Sequence, residues 1–325
     1  MSKAVRSFGV VFFPRAAALP CFPKVTRGLV MAVYSVQLRA PVWSMLRSAA
    51  QCTRSFGSRA ETEKLTVRCE KDGVRNIILN NPKKRNALSL AMLNSLHADI
   101  LHEADSSALR VIIISAEGPV FSSGHDLTEL TSKQGPEHHT KIFETCAEVM
   151  HLIQDIPVPV IAKVNGTATA AGCQLVASCD IAVASNKSTF ATPGVNVGLF
   201  CSTPAVALGR AVPRKVCSEN AFTGAPISAN DALLHGLVSK VVPEEKLEEE
   251  TMKIVRMICK ASRPVVALGK NTFYRQMAQE RKTAYRLASQ VMVENLALID
   301  GQEGIKAFIE KRQPVWTNSP DNAHE

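Results

Sequence analysis

Two loops rich in small residues offer the clearest chemistry in this sequence. The first spans 119–127 and directly follows an apolar strand predicted at 111–114. The second spans 164–175 and directly follows a strand predicted at 160–164. Ligands of α/β sheets collect beyond the carboxyl ends of strands, where small residues let backbone N–H groups face outward. Two converging N–H groups would form an oxyanion hole, although close backbone packing is the alternative explanation of each loop taken alone.

The elements around these loops predict an α/β fold. Asp72 and Gly73 lie between two alternating runs, which is typical of a hairpin, and Ser89 precedes a helix with one apolar face. Buried strands then alternate with helices, one of which carries Phe143 on its apolar side, and this predicts stacked βαβ units. Three helices are predicted after residue 245. We therefore divide the chain into a leader (1–60), an α/β core (61–245) and a helical C-terminal region (246–325).

The leader differs in charge from the rest of the chain. Residues 1–60 hold nine Lys and Arg and no Asp or Glu, whereas residues 61–325 hold 29 basic and 29 acidic side chains. A leader rich in Arg, Ser and Ala and poor in acids is typical of a mitochondrial transit peptide, so we predict a matrix protein that loses about its first 45–60 residues. A basic tail with no targeting role is the alternative.

Composition also excludes several classes of protein. Nucleic-acid binding is not expected, because the neutral body lacks the basic patch that it needs. No apolar run is long enough to span a membrane. The nine cysteines are scattered and form no C-x-x-C or Cys/His cluster, which indicates reduced thiols. We predict no disulfide, no metal site and no resident cofactor.

Five ordered segments then carry specific motifs: Asn81–Leu88, Phe121–Leu127, Asn165–Ala182, Phe190–Leu199 and Glu303–Pro314. Over about residues 62–316 the chain resembles the crotonase (enoyl-CoA hydratase/isomerase) superfamily. The resemblance implies a crotonase-like spiral of ββα/βαβ turns with a C-terminal helical trimerisation region. It also implies a trimer or hexamer and a coenzyme A thioester that is bound as substrate or ligand.

The resemblance also assigns binding residues. The positions of the family's oxyanion N–H donors correspond to His125 and Ala171, with Gly172 beside them. The loop that curls around the adenine nucleotide end of CoA corresponds to five residues: Lys83, Lys84, Arg85, Asn86 and Ala87. Their positive charge suits the CoA phosphates, and a solvated turn is the alternative.

Departures from the family pattern bear on activity. Hydratases of this family use two glutamates, whose positions carry Gln174 and Gly194 here, and the aspartate of dienoyl isomerases falls near Ser202. Gln174 can orient a water but cannot accept its proton at neutral pH. Asp126 and Asp180 stand where the family usually has a structural aspartate. Because a positioned acid or base contributes about 10²–10⁴ in rate, ordinary hydratase activity is doubtful. Changing both Gln174 and Gly194 to Glu is the predicted route to activity, unless Gly194 requires positive φ.

Two functional hypotheses therefore stay open. The first is a non-catalytic acyl-CoA-binding protein of fatty-acid metabolism. The second is an enzyme that stabilises a thioester enolate, such as a malonyl-type acyl-CoA decarboxylase or a weak enoyl-CoA hydratase. The candidate catalytic side chains are His125, Gln174 and Cys201, and His125, Cys201 or water would supply the final proton of a decarboxylation. RNA binding is a third possibility, which the neutral body disfavours.

Overall fold

The central sheet has six strands and begins with the predicted hairpin. The computed structural model describes residues 64–323 of the chain. Asp72 and Gly73 both adopt positive φ in the turn of that hairpin, as a tight turn between antiparallel strands requires. In spatial order the strands are β1 (Thr66–Lys71), β2 (Val74–Leu79), β3 (Val111–Ala116), β5 (Val160–Val164), β7 (Ile181–Ser185) and β10 (Lys240–Val242). Every pairing except β1 with β2 is parallel.

A second sheet is built from shorter strands: β4 (Val120–Ser122), β6 (Thr167–Thr169), β8 (Thr189–Ala191) and β9 (Ile227–Ser228). The first three are parallel neighbours in that order, and β9 pairs antiparallel with β8. Strands β4, β6 and β8 each follow a strand of the central sheet and precede a helix, so the chain makes three successive ββα turns. The predicted α/β class and the crotonase-like spiral are confirmed.

Ten α-helices complete the described part of the chain: α1 (Leu90–Leu101), α2 (Gly135–Asp155), α3 (Ala171–Ser178), α4 (Ser202–Ala211), α5 (Arg214–Thr223), α6 (Ala229–Leu234), α7 (Leu247–Cys259), α8 (Arg263–Met277), α9 (Arg281–Ala297) and α10 (Ile299–Ile309). The helix predicted after Ser89 is α1, and Ser89 caps it by accepting a hydrogen bond from the Met92 N–H. The C-terminal region holds four helices where three were predicted. Among residues 64–323, no helix is long and apolar enough to cross a membrane.

The central sheet is buried on both faces, as its continuous apolar strands predict. One face packs in the main core with helices α1, α2 and α3. The other face is covered by α7, whose Leu247 and Val255 pack against Val111, Ile161 and Val183. This leaves the carboxyl ends of the short strands, rather than the faces of the sheet, as the place where a cavity can form.

Some predictions concern residues outside this description. The leader of residues 1–60 lies wholly outside the described residues. The division of the body at residue 245 stays a prediction, although helix α7 does begin at Leu247.

Candidate functional site

The two small-residue loops meet at the carboxyl ends of β4 and β6. These strands are parallel neighbours, so the segments that follow them emerge side by side. Gly124 has a φ of +85°, and a Cβ built on it would lie 2.8 Å from the Ala170 Cβ and 3.1 Å from the Ala171 nitrogen. Only glycine permits this approach without strain. Ala170 itself has a φ of +49°, an unusual conformation for a residue with a Cβ. The sequence predicts that the two loops directly follow β3 and β5. In the structure, the short strands β4 and β6 come between those strands and the loops.

The N–H groups of His125 and Ala171 make no hydrogen bond to any other described residue. Ala171 is the first residue of α3, where the first four N–H groups of a helix have no partner within it. Gly172 follows on the first turn of the same helix. The helix dipole adds positive potential at this end. The two loops therefore present unpaired donors to one place, as an oxyanion hole requires.

A cavity of about 300 Å³ lies against these donors. Ala170, Ala171 and His125 form part of its wall. Its other lining residues are mostly apolar: Ser123, Leu127, Leu130, Phe143, Pro193, Gly194, Asn196, Val197, Leu199, Phe200, Cys201, Thr203 and Pro204. Among these described residues there is no Asp or Glu. The cavity can therefore hold an acyl chain, but it offers no carboxylate as a base.

Gln174 lies one helical turn beyond Ala170, and its own N–H donates to the Ala170 carbonyl. The side chain is buried, and its Oε1 atom has no hydrogen-bond partner. It does not line the cavity directly. A buried amide oxygen without a donor is unusual in proteins, so a water or ligand is the expected partner. The role of Gln174 in orienting a water stays a prediction.

Gly194 and Cys201 are brought together in the wall of the cavity. A Cβ built on Gly194 would lie 2.9 Å from both the Cys201 Sγ and the Leu199 carbonyl oxygen. Gly194 does not have positive φ, so backbone conformation is not what opposes a glutamate at this position. Crowding is what opposes a side chain at this position. The space of a second glutamate is filled by the Cys201 thiol and by backbone.

Burial sets the protonation of the two titratable candidates in the wall. It raises the pKa of Cys201, although the Gly194 backbone partly opposes this. It lowers the pKa of His125, with smaller opposing effects from the Leu88 carbonyl and from Glu129. At neutral pH the thiol is therefore protonated and the imidazole is uncharged. Of the two, Cys201 is the better proton donor.

The Lys83–Ala87 loop lies directly beside the first small-residue loop. The Ser123 N–H donates to the Arg85 carbonyl, and the Leu88 N–H donates to the Gly124 carbonyl. The basic side chains are exposed, and Lys84 forms an ion pair of 2.9 Å with Asp126. Three of the predicted CoA-binding residues are therefore exposed next to the cavity, and Lys84 among them is paired with Asp126.

The other two predicted CoA-binding residues, Asn86 and Ala87, are buried. The Asn86 amide donates to the carbonyls of Glu117 and Val120 and accepts from the Asn81 N–H. Its side chain holds the loop in place and is not available to a ligand. A contribution of Asn86 or Ala87 to CoA binding is thus restricted to shaping the backbone.

Asp126 and Asp180 both have structural partners, as expected. Asp126 accepts from the N–H and hydroxyl of Thr128 and from Lys84, and these contacts lower its pKa. Asp180 accepts from the Val160 N–H, where β5 begins. That position lies at the opposite end of the strands from the cavity. Neither aspartate lines the cavity.

Sequence reasoning missed much of the apolar wall. Helical spacing predicts Phe143 on the buried side of α2, yet the residue is 37% exposed and lines the cavity. Its helical spacing is the same for a core residue and for a cavity residue, so periodicity cannot distinguish them. The segment from Val197 to Pro204 follows β8, the third parallel strand, and only the strand order brings it to the site.

Gly172 gives a direct test of the loop packing. A Cβ on Gly172 would lie 2.5 Å from the Ser122 carbonyl oxygen, so Gly172→Ala should push α3 away from β4. We expect a loss of stability of about 1–3 kcal/mol and at least tenfold weaker ligand binding at the loops. Gly209→Ala is the control, since its Cβ would meet nothing closer than 3.9 Å. It should stabilise α4 by about 0.5–1 kcal/mol. Equal melting temperatures for the two variants would contradict the packing argument.

Metal chemistry was not expected. Among residues 64–323, no group of three His, Cys, Asp or Glu converges as a metal site would. The seven cysteines in this part of the chain form no disulfide with one another.

Comparisons with known proteins identify the relatives of this chain. A sequence model of the enoyl-CoA hydratase/isomerase family matches residues 69–319. The mouse protein named enoyl-CoA hydratase domain-containing protein 3, mitochondrial, is 66% identical over 86% of this chain and 94% of its own. Its Xenopus laevis counterpart is 71% identical over 78% of this chain and 87% of its own. The crystal structure of the human protein of this name superposes with a TM-score of 0.77 at 71% identity, covering 78% of this chain and all of that one. The mitochondrial names of these relatives confirm the predicted mitochondrial localisation.

Proposed function

The chain belongs to the enoyl-CoA hydratase/isomerase family, and from that premise we propose that it is a mitochondrial acyl-CoA-binding protein without ordinary enoyl-CoA hydratase activity. It acts in fatty-acid or acyl-CoA metabolism in the matrix. The acid-free leader supports import into that compartment. The relatives whose names include enoyl-CoA hydratase support a coenzyme A thioester as the ligand.

One observation carries the proposal. The wall of the cavity includes His125 and Ala171, whose N–H groups are unpaired, yet none of its described residues is an Asp or Glu. Backbone donors polarise a thioester carbonyl whatever the side chain, whereas activating water requires a base. Binding and polarisation are therefore retained while water activation is lost.

The remainder of the ligand has a suitable surface beside the cavity. Lys83, Lys84 and Arg85 are exposed on the loop that contacts Ser123 and Gly124. Guanidinium and ammonium groups are the usual partners of phosphates. We assign the phosphates of coenzyme A to this loop and the acyl chain to the apolar cavity.

Cys201 supports a second candidate function, decarboxylation of a malonyl-type acyl-CoA. Loss of CO₂ would leave an enolate that the two N–H groups stabilise, with no base required. The absence of a carboxylate from the described wall avoids repulsion of the substrate carboxylate. Burial raises the pKa of Cys201, so the thiol is protonated at neutral pH. It can then donate that proton to the enolate.

Binding and turnover measured on one panel test both functions. Binding of butyryl-CoA, crotonyl-CoA and malonyl-CoA to the mature protein is measured by calorimetry. Turnover of each of these thioesters is then measured with the same protein. The proposal expects binding of butyryl-CoA and crotonyl-CoA with negligible turnover. Release of acetyl-CoA from malonyl-CoA would favour the decarboxylase. No binding of any thioester would refute both.

The C-terminal helices also predict assembly. Helix α9 buries no residue within the chain, and α8–α10 expose apolar side chains that include Phe273, Met277, Tyr285, Met292, Val293 and Phe308. Large exposed apolar surfaces mark interaction sites, and homo-oligomers cover such surfaces with symmetric copies. We propose a trimer or a hexamer. Light scattering at micromolar concentration should give at least three times the mass of one chain, and a monomer would contradict it.

A further inference from the structure

A second exposed apolar surface lies at the mouth of the cavity and is formed by residues outside the C-terminal helices. Val197, Leu199 and Phe200 line the cavity and are themselves exposed, Val197 to 60%. Phe222 of α5 is 68% exposed, and its ring lies 5.6 Å from that of Phe200, measured between centroids. Val206 on α4 is exposed as well. We call these five side chains the rim patch.

Local packing joins the segments that carry the rim patch. Helix α5 is followed by Gly224, on which a Cβ would lie 3.0 Å from the Pro193 Cα. This contact holds Phe222 against the segment that leads to the cavity. Helix α4 begins two residues after Phe200 and also packs against α5. The apolar side chains therefore form one surface rather than scattered exposed residues, and such surfaces mark interaction sites.

Three basic side chains accompany the rim patch: Arg210 on α4 and Arg214 and Lys215 on α5. The Arg210 guanidinium donates to the Val206 carbonyl at 2.9 Å, so its charge lies beside the patch. Lys215 precedes Phe222 by two helical turns and lies on the same face of α5. All three are exposed, and none forms an ion pair with an acidic side chain of residues 64–323.

This charge indicates the kind of partner. Helices α4 and α5 carry the three basic side chains and one acidic side chain, Glu219, whereas residues 61–325 as a whole are neutral. Anionic lipid headgroups attract Lys and Arg at a membrane surface. Apolar side chains next to them enter the boundary between headgroups and acyl chains. An anionic bilayer matches both parts of the surface.

A second copy of the chain matches the rim patch less well. In a two-fold contact the same patch faces itself, so Arg210, Arg214 and Lys215 would face their own counterparts. Like charges brought together across an interface are unfavourable. The exposed apolar side chains of α8–α10 offer a separate surface for assembly. The rim patch is therefore assigned to a different partner.

We propose that the rim patch docks on the surface of an anionic lipid bilayer. Its apolar side chains enter the boundary between headgroups and acyl chains, and Arg210, Arg214 and Lys215 contact the lipid phosphates. The mouth of the cavity then faces the acyl chains of the lipid. This inference goes beyond the proposed function and does not require it, because no contact involves a coenzyme A thioester.

Vesicle binding tests the proposal. The mature protein is sedimented with vesicles of phosphatidylcholine alone, or of phosphatidylcholine and phosphatidylserine in equal amounts. The wild type should bind the anionic vesicles, and high salt should weaken this binding. Phe222→Ser should reduce the partition coefficient at least about tenfold, because a large apolar contact is lost. Arg210→Gln should reduce it about fivefold on anionic vesicles, as expected for one basic residue.

Two substitutions outside the rim patch are matched controls. Leu101→Ser at the end of α1 and Arg256→Gln on α7 also replace exposed side chains, and both proteins should bind like the wild type. Equal losses in the controls, or no wild-type binding to anionic vesicles, would overturn the inference. Light scattering without vesicles should give Phe222→Ser the mass of the wild type. A lower mass would show that the patch binds a second copy, which would also overturn it.

A further measurement uses only the wild type and does not depend on how the variants fold. Anionic vesicles should slow amide hydrogen exchange in residues 197–203, which include the exposed segment before α4. Exchange in α7 should stay unchanged. Protection confined to α8–α10 would place the membrane contact on the other apolar surface and overturn the assignment to the rim patch.

Discussion

Hydration of crotonyl-CoA should rise at least about 10²-fold when Gln174 is replaced by Glu. The side chain of Gln174 is 5% exposed and its Oε1 has no partner, so a carboxylate of the same length meets no competing hydrogen bond. Position 174 lies one helical turn after Ala170 and Ala171, and Ala171 carries one of the two unpaired N–H groups. A correctly positioned general base contributes about 10²–10⁴ in rate. Stopped-flow loss of the enoyl absorbance, under single-turnover conditions, measures the change.

Gln174→Met is the matched control, because it keeps the length of the side chain and adds no base. It should hydrate crotonyl-CoA no faster than the wild type. If the wild type itself turned over at about 10 s⁻¹, a rate typical of metabolic enzymes, a residue other than a carboxylate in the cavity wall would have to be the base. An unchanged rate in Gln174→Glu would show that position 174 does not reach the reacting carbon.

The structure changes the reasoning about the second glutamate. Adding Gly194→Glu looks favourable in the sequence, where glycine's only apparent requirement is positive φ. Gly194 does not have positive φ, and any side chain there meets the Cys201 thiol and the Leu199 carbonyl at 2.9 Å. Shortening Cys201 removes only one of these two contacts, because the other is backbone. The single change at Gln174 is therefore the better experiment.

The sequence predicted the parts of the site that depend on local motifs. Gly124 and His125 lie in a small-residue loop, and so do Ala170 and Ala171, and both loops do meet. It did not predict β4 and β6, because a strand of three residues contains too few positions for an alternating pattern to appear. It also could not assign Phe143 to the cavity, since the side chain has the spacing of a core residue. Both the short strands and the place of Phe143 in the cavity wall depend on the order of strands in the sheets, which local sequence does not contain.

The C-terminal region shows the same limit. Lys270 and Tyr274 gave no signal in the sequence beyond their place in a helix. In the structure both side chains contact Asp180, at 2.7 Å each, and so connect α8 to the start of β7. Residues 90 and 94 positions apart cannot be paired by local pattern. This cluster motivates the second prediction of large effect.

Lys270→Met should lower the free energy of unfolding by about 3–5 kcal/mol. The Lys270 side chain is 6% exposed, and its ammonium donates to Asp180 and to the carbonyls of Ile153 and Val158 at 2.7–2.8 Å. Burial lowers the pKa of Lys270, and Asp180 opposes that shift by stabilising the charge. Methionine fills a similar volume but leaves two carbonyls and the half-buried Asp180 carboxylate without their shared donor. Removing one partner of a buried ion pair is costly because the remaining charge is uncompensated.

Lys253→Met provides the same substitution at an exposed ion pair. Lys253 contacts Glu249 and Glu250 on the surface of α7, where ion pairs contribute little, so its loss should change stability by less than about 1 kcal/mol. Denaturant unfolding of both variants, repeated at several protein concentrations, separates this effect from the contribution of assembly. If the two substitutions changed the unfolding midpoint equally, Lys270 would not be the connection between α8 and the core. If only Lys270→Met lost stability, adding Asp180→Asn should recover part of it, because the uncompensated charge is then removed.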